Sequence, residues 1–226
     1  MKKKDILWGF SLILIIFFLV YPSTHEIFVG ATKSYPYITG FVKVSLLATM
    51  GELLAIRIKD GDFIKPKGLI LKSIVWGFIG VVFVIMFDLF SSGVLSAKSK
   101  GLLPTLSNST LDRFVTAFFT SALMNLTFAP TFMSFHRVTD TCIDLGTTNL
   151  NRVLKSIDWS GFISFVVIKT IPLFWIPAHT LTFMLPGEYR VLSASFLSIA
   201  LGAILALAKR PVANSNSNSN SNSKSL

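Results

Sequence analysis

Apolar runs of near-membrane length recur along this chain, separated by short polar breaks. Six stand out, at residues 6–21, 38–56, 69–90, 114–135, 161–184 and 191–208. Each approaches the roughly 20 residues that a helix needs to cross the hydrocarbon core of a bilayer. No segment supports a strand. The pattern predicts an all-α, polytopic transmembrane bundle of about six spans. The weakest span is 38–56, which holds Lys43 and Glu52. If it is re-entrant, five spans remain.

Composition agrees with this class. The chain is 52% hydrophobic and 14% charged, against about 25% charged residues in an ordinary soluble domain. Lys2, Lys3 and Lys4 precede the first apolar run like a signal peptide, but Tyr21-Pro22-Ser23 follows in place of a small-residue cleavage site. Residues 1–21 therefore read as an uncleaved signal-anchor helix. Residues 28–209 read as one membrane domain. Residues 210–226 read as a disordered tail, because its Asn-Ser repeat cannot bury a core. The terminal Lys224-Ser225-Leu226 does not match the Ser-Lys-Leu peroxisomal address.

The net charge of +10 does not point to nucleic acid, because it is dispersed among short loops and forms no basic stripe. One set of loops holds Lys2–Lys4, Arg57, Lys59, Lys65, Lys67, Arg137, Arg152, Lys155, Lys209, Arg210 and Lys224. The opposite set holds only Lys33, Lys98, Lys100, Arg113 and Arg190. The positive-inside rule then places both termini on the inner side. Cys142 is the single cysteine, which excludes an intrachain disulfide. It reads as a loop or helix-end residue.

Lipid gives helices little hydrophobic reason to associate, so small residues carry much of the packing. Ala194, Ser198, Gly202 and Ala206 form a four-residue stripe. Gly51/Ala55, Ser73/Gly77 and Ala117/Ser121/Asn125 repeat it. Such stripes suit a homo-oligomer as well as a monomer.

Intramembrane charges carry the functional signal. In a hairpin turning near Asp62, Glu52 and Lys72 reach nearly equal depth, which predicts a structural ion pair between them. Lys43 and Asp88 miss each other by roughly 9 Å. Lys169 lies about 12 Å into its span, three residues before Pro172. It reads either as an ion-paired or carbonyl-bound group at the proline kink or as the lining of a polar path. Asn125 is a second candidate lining residue, or interhelical glue. His179 reads as an interfacial anchor. Trp175, Pro177 and Pro186 predict a helix broken twice, which at membrane depth must be buried in protein or face a cavity. Asn108-Ser109-Thr110 is a glycosylation acceptor pattern in an outer loop.

Catalytic and metal motifs are absent. No phosphate loop, His-Glu-x-x-His, Cys-x-x-Cys or Gly-x-Ser-x-Gly occurs, and His25, His136 and His179 share no ligand spacing. The reading is a non-enzyme with no cofactor, whose partner is the lipid bilayer.

The segment 175–192 resembles the Mpv-seventeen/peroxisomal-membrane-protein family of small integral membrane proteins. Its Trp175-x-Pro177, Phe183, Pro186 and Arg190-Val191-Leu192 fall at that family's signature spacing. Tyr35-Pro36 with Gly51-Glu52, and Phe128-Ala129-Pro130, match further elements in order. Gly80-Val81 and Met124-Asn125 stand where the family commonly has Gly-Pro and Asp-Gln. The resemblance implies a peroxisomal or mitochondrial inner membrane and a channel-like pore for small solutes or metabolites. On that expectation Glu52, Asn125 and Lys169 line the path. The alternatives are a non-conducting scaffold or assembly protein and a secondary transporter.

Overall fold

The computed structural model describes residues 2–208; the tail and the charges at Lys209, Arg210 and Lys224 lie outside them. Among the described residues the chain is all-α, with no strand. In order the helices are α1 (Lys3–Val20), α2 (Pro22–Ser34), α3 (Pro36–Asp60), α4 (Leu69–Ser99), α5 (Ser109–Leu145), α6 (Leu150–Ser156) and α7 (Trp159–Gly161). A π-helix, π1 (Phe162–Trp175), follows, then α8 (Ile176–Phe183) and α9 (Gly187–Ala208).

Local chemistry sets the boundaries. Pro22 and Pro36 open α2 and α3 at the first turn, where their missing N–H costs nothing. Each proline forces the tyrosine before it out of the helical region. Asn108, Asn149 and Asp158 cap α5, α6 and α7 by accepting backbone N–H groups. Gly61 and Gly146 close α3 and α5 at φ 75° and 64°, the left-handed region glycine enters without strain.

Among the described residues, three helical stretches are long and apolar enough to cross a membrane: Leu69–Ser99, Ser109–Leu145 and Trp159–Phe183. A fourth is added if α1 and α2, bent by 82°, count as one span. The expected six is therefore higher than this length-and-composition count. α3 is nonetheless one unbroken 25-residue helix, about 37 Å long, and forms no re-entrant loop. It packs most extensively on α4 and α9, so neighbouring helices cover its polar residues. α9 begins with Glu188 and Arg190, and its side chains are described only to Ile204. Phe78, Ile70 and Leu173 are among many large apolar side chains left exposed, a face suited to lipid.

Small residues set the closest crossings. A Cβ on Gly40 would stand 2.7 Å from Val84 and 3.0 Å from the Gly80 carbonyl oxygen, so α3 and α4 touch backbone to backbone. A Cβ on Gly51 would lie 3.1 Å from Ile199 Cα, and one on Gly202 3.1 Å from the Gly51 carbonyl oxygen. The α9 stripe thus faces α3. The main core joins Val44, Ala48, Ile79, Phe87, Ala117, Met124, Phe183 and Ala194. Trp8 and Leu12 of α1 reach only a smaller cluster around Leu47 and Met50.

Polar contacts tie α1 down at its N-terminal end. Arg57 Nε donates to Asp5 at 2.6 Å, and Trp8 Nε1 donates to the Met50 carbonyl at 3.1 Å. Asp62 meets Lys2 and Lys4 at 3.4 and 3.6 Å. The Phe63 N–H, then the two lysines, hold the Asp62 carboxyl below its ordinary 3.8. A carboxylate depressed in the folded state supports the fold above its ordinary value and stops doing so only as pH falls through the folded value. Exchange protection of the Phe63 amide is therefore expected to stay constant from neutral pH to about pH 5, then fall under strong acid. Protection already lost at pH 5 would contradict this anchor.

Candidate functional site

The expected double break in the penultimate span does not occur. The chain runs helically through both Pro172 and Pro177 and breaks only at 184–186. A proline removes a donor and clashes with the carbonyl four residues back. Here the helix widens instead of kinking. The Ile176 N–H reaches the Ile171 carbonyl, five residues back, and Thr170 Oγ1 donates to the Phe165 carbonyl. The π-helix extends over 14 residues, where such segments elsewhere usually span a single turn at functional sites.

That widened helix and α8 carry Trp175 and His179 against α4 and α5. A central cavity of about 70 Å³ results, lined by Trp76, Phe87, Asn125, His136, Trp175 and His179 among others. Asn125 is 1% exposed. Its amide nitrogen donates to the Ser121 carbonyl at 2.9 Å and to His179 Nδ1 at 3.0 Å. His179 Nδ1 also lies 3.3 Å from Asn125 Oδ1, so Asn125 can partner either ring tautomer. Trp175 stacks on His179 at 5.0 Å, and Phe87 meets it edge-on at 5.8 Å. Ser121 Oγ donates to the Ile176 carbonyl, fixing α8 to α5. Four buried polar atoms around this cavity lack a partner among the described residues: Trp76 Nε1, Trp175 Nε1, His136 Nδ1 and His179 Nε2. Buried polar groups are nearly always satisfied, by protein or by water.

Charge lies at both ends of the cavity. At the end that the loop charges predict to be the outer one, a pocket of about 280 Å³ is lined by Lys33, Lys43, Asp88, Glu188 and Arg190. Phe87 lines both this pocket and the central cavity. Lys43 and Asp88 share the outer pocket without pairing. On the inner side, the Trp76 and His136 rings pack at 4.2 Å. One helical turn beyond them stand Lys72 and Asp140. Lys72 Nζ meets Glu52 at 3.2 Å, Asp140 at 3.5 Å and Asp144 at 3.1 Å. The ion pair proposed between Glu52 and Lys72 is present, within a cluster of one ammonium and three carboxylates that ties α3, α4 and α5 together.

The three expected path residues separate. Asn125 lines the central cavity. Glu52 belongs to the inner cluster. Lys169 is exposed on the outside of π1, with no charged or hydrogen-bonded partner among the described residues. It does not reach the cavity, because widening the helix before Pro172 leaves position 169 on the outward face. The anchor reading of His179 is also corrected, since the residue is buried at the centre, 7% exposed. His136, Trp76 and Phe87 were missed, because only tertiary packing gathers them.

The signature residues mostly build the outer end of the bundle. Phe183 packs on Phe87 at 5.1 Å, and the Arg190 guanidinium lies 5.5 Å over the Phe183 ring. Arg190 also donates to the Leu185 and Phe183 carbonyls, clasping the turn that holds Pro186. Leu192 packs beside Leu47 and Met50. Pro177 starts α8, below Trp175. Asn108 spends its side-chain oxygen on the Leu111 N–H. No protein-family model, curated protein or solved structure matches the chain.

Proposed function

We propose that this is a channel-like membrane protein, akin to the Mpv-seventeen/peroxisomal-membrane-protein family, that passes small solutes across a peroxisomal or mitochondrial inner membrane. The path runs from the outer pocket, past Phe87, through the central cavity, past Trp76 and His136, to the Lys72 cluster. The observation that carries this reading is the set of four unpartnered polar atoms around one cavity with charged groups at both ends. Intramembrane polar groups are costly and mark solute paths.

Single-channel recording of the purified protein in a planar bilayer tests the path. Phe87→Ala is expected to raise open probability, and His179→Phe to lower conductance several-fold by filling the cavity. Lys169→Ala is expected to leave conductance and reversal potential unchanged. A path along π1 that includes Lys169 would give the opposite ranking.

A midplane cavity also suits a secondary transporter, which exposes such a site alternately to each side. Saturable, ion-coupled uptake into vesicles without discrete openings would favour that reading. No flux in either assay, with the protein folded, would favour the scaffold.

A further inference from the structure

The Lys72 cluster holds one more orphan atom. Asp140 Oδ1 is buried without a partner among the described residues, while its Oδ2 meets Lys72 Nζ at 3.5 Å. His136 stands one helical turn earlier on α5 and lines the central cavity; its Nδ1 is likewise buried without a partner. Residues four apart on a helix are neighbours, with Cβ atoms about 5–6 Å apart, a separation that long side chains or one bridging water close. His179, also on the cavity wall, leaves Nε2 without a partner. Asn125 serves either tautomer of that ring, so Nε2 is free to donate or to accept.

The cavity measures about 70 Å³. Ligand sites for organic molecules span about 300–1,000 Å³, whereas a buried water needs only about 10–15 Å³, so a few waters fit here. The indole N–H groups of Trp76 and Trp175 are obligate donors on the same wall. Lys72 from α4 and Arg137 and Asp140 from α5 are the charged groups that act on His136. Beyond it, three carboxylates share the single Lys72 ammonium, and their net negative charge attracts protons. The Asp144 side chain is 53% exposed, so the series His179, cavity, His136, Asp140, Asp144 ends in water.

We propose that this series conducts protons, with His136 as the carrier between cavity water and Asp140. The inference rests on the path proposed above and names the proton as a species which that path carries. One ring nitrogen of His136 takes a proton from the cavity side as the other releases one toward Asp140 Oδ1. Asp140 then gives it up to water at Asp144, and the ring turns back to its first tautomer. Only N–H and O–H bonds exchange, so no co-reactant is required. Chains of His and acidic side chains are the usual means of proton relay within membranes.

Proton uptake into pyranine-loaded liposomes, driven by a valinomycin-clamped potassium gradient, tests this with the full-length protein. KCl conductance of the same preparation in a planar bilayer is read beside it. Both are measured in the wild type and in Phe87→Ala, which widens the junction with the outer pocket. His136→Gln keeps a hydrogen-bonding side chain that does not carry a proton. It should lower proton uptake about tenfold or more and leave KCl conductance unchanged. Asp140→Asn should do the same, and Asp140→Glu should restore uptake, which a merely structural contact to Lys72 would not require. Undiminished uptake in His136→Gln overturns the relay. No uptake by folded wild type and Phe87→Ala also overturns it. So does equal loss of uptake and KCl conductance in His136→Gln, which makes His136 a wall of the solute path. Uptake that needs His136 but comes without KCl conductance upholds the relay and removes the solute-channel reading.

Discussion

Gly80→Val is expected to abolish a stable fold. A side chain there drives into the Gly40 backbone and Val44, at the point where α3 and α4 touch. The nearest obstacle is the helical main chain of Gly40, which cannot move aside by rotating a side chain. Overpacking of cores typically costs about 1–3 kcal/mol, and a backbone-to-backbone contact places this change at or above the top of that range. That is a large share of the roughly 5–15 kcal/mol holding an ordinary domain together. Gly93→Val in the same helix is the control, because a Cβ there meets nothing within 4 Å; valine is the better helix former, so stability should change by under about 1 kcal/mol, and upward. Thermal unfolding in detergent separates the two. Similar midpoints for both variants would mean that α3 and α4 do not cross at Gly40 and Gly80.

Lys72→Met carries the second large effect. It removes the only cation from a cluster of Glu52, Asp140 and Asp144, whose side chains are 23%, 25% and 53% exposed. Breaking a buried pair by removing one partner costs about 3–5 kcal/mol; water at Asp144 screens part of this, so about 2–3 kcal/mol is expected. Glu52→Gln should cost far less, under about 1 kcal/mol, because Asp140 and Asp144 still hold the ammonium. Adding Glu52→Gln and Asp140→Asn to Lys72→Met should recover most of the loss. Equal costs for Lys72→Met and Glu52→Gln would show a simple pair instead of a four-residue cluster.

This asymmetry marks the limit of hydropathy and spacing. Equal depth on two sides of the Asp62 turn was enough to pair Glu52 with Lys72. The contributions of Asp140 and Asp144 were hidden, because they arrive from α5, distant in sequence. The same limit applies to Lys169. Distance along a helix gives depth but not facing, and the π-helix changes the angle between successive residues, so a face counted at the α period is wrong by the end of the segment. Pro172 and Pro177 signalled an irregularity correctly. They did not signal that it would be a widening.

The sequence by itself determined the helical class, the small-residue stripe of α9 and the matched register of Glu52 and Lys72 across the Asp62 turn. All of these follow from local periodicity and from the cost of exposing polar groups to lipid, which act wherever a segment is placed. Tertiary structure alone decided which charges meet, which ring closes which cavity and which polar atoms are left without partners. Those depend on helix rotation and on crossing points such as Gly40–Gly80. Both are set by the shapes of non-neighbouring side chains packing together, and no local period encodes them.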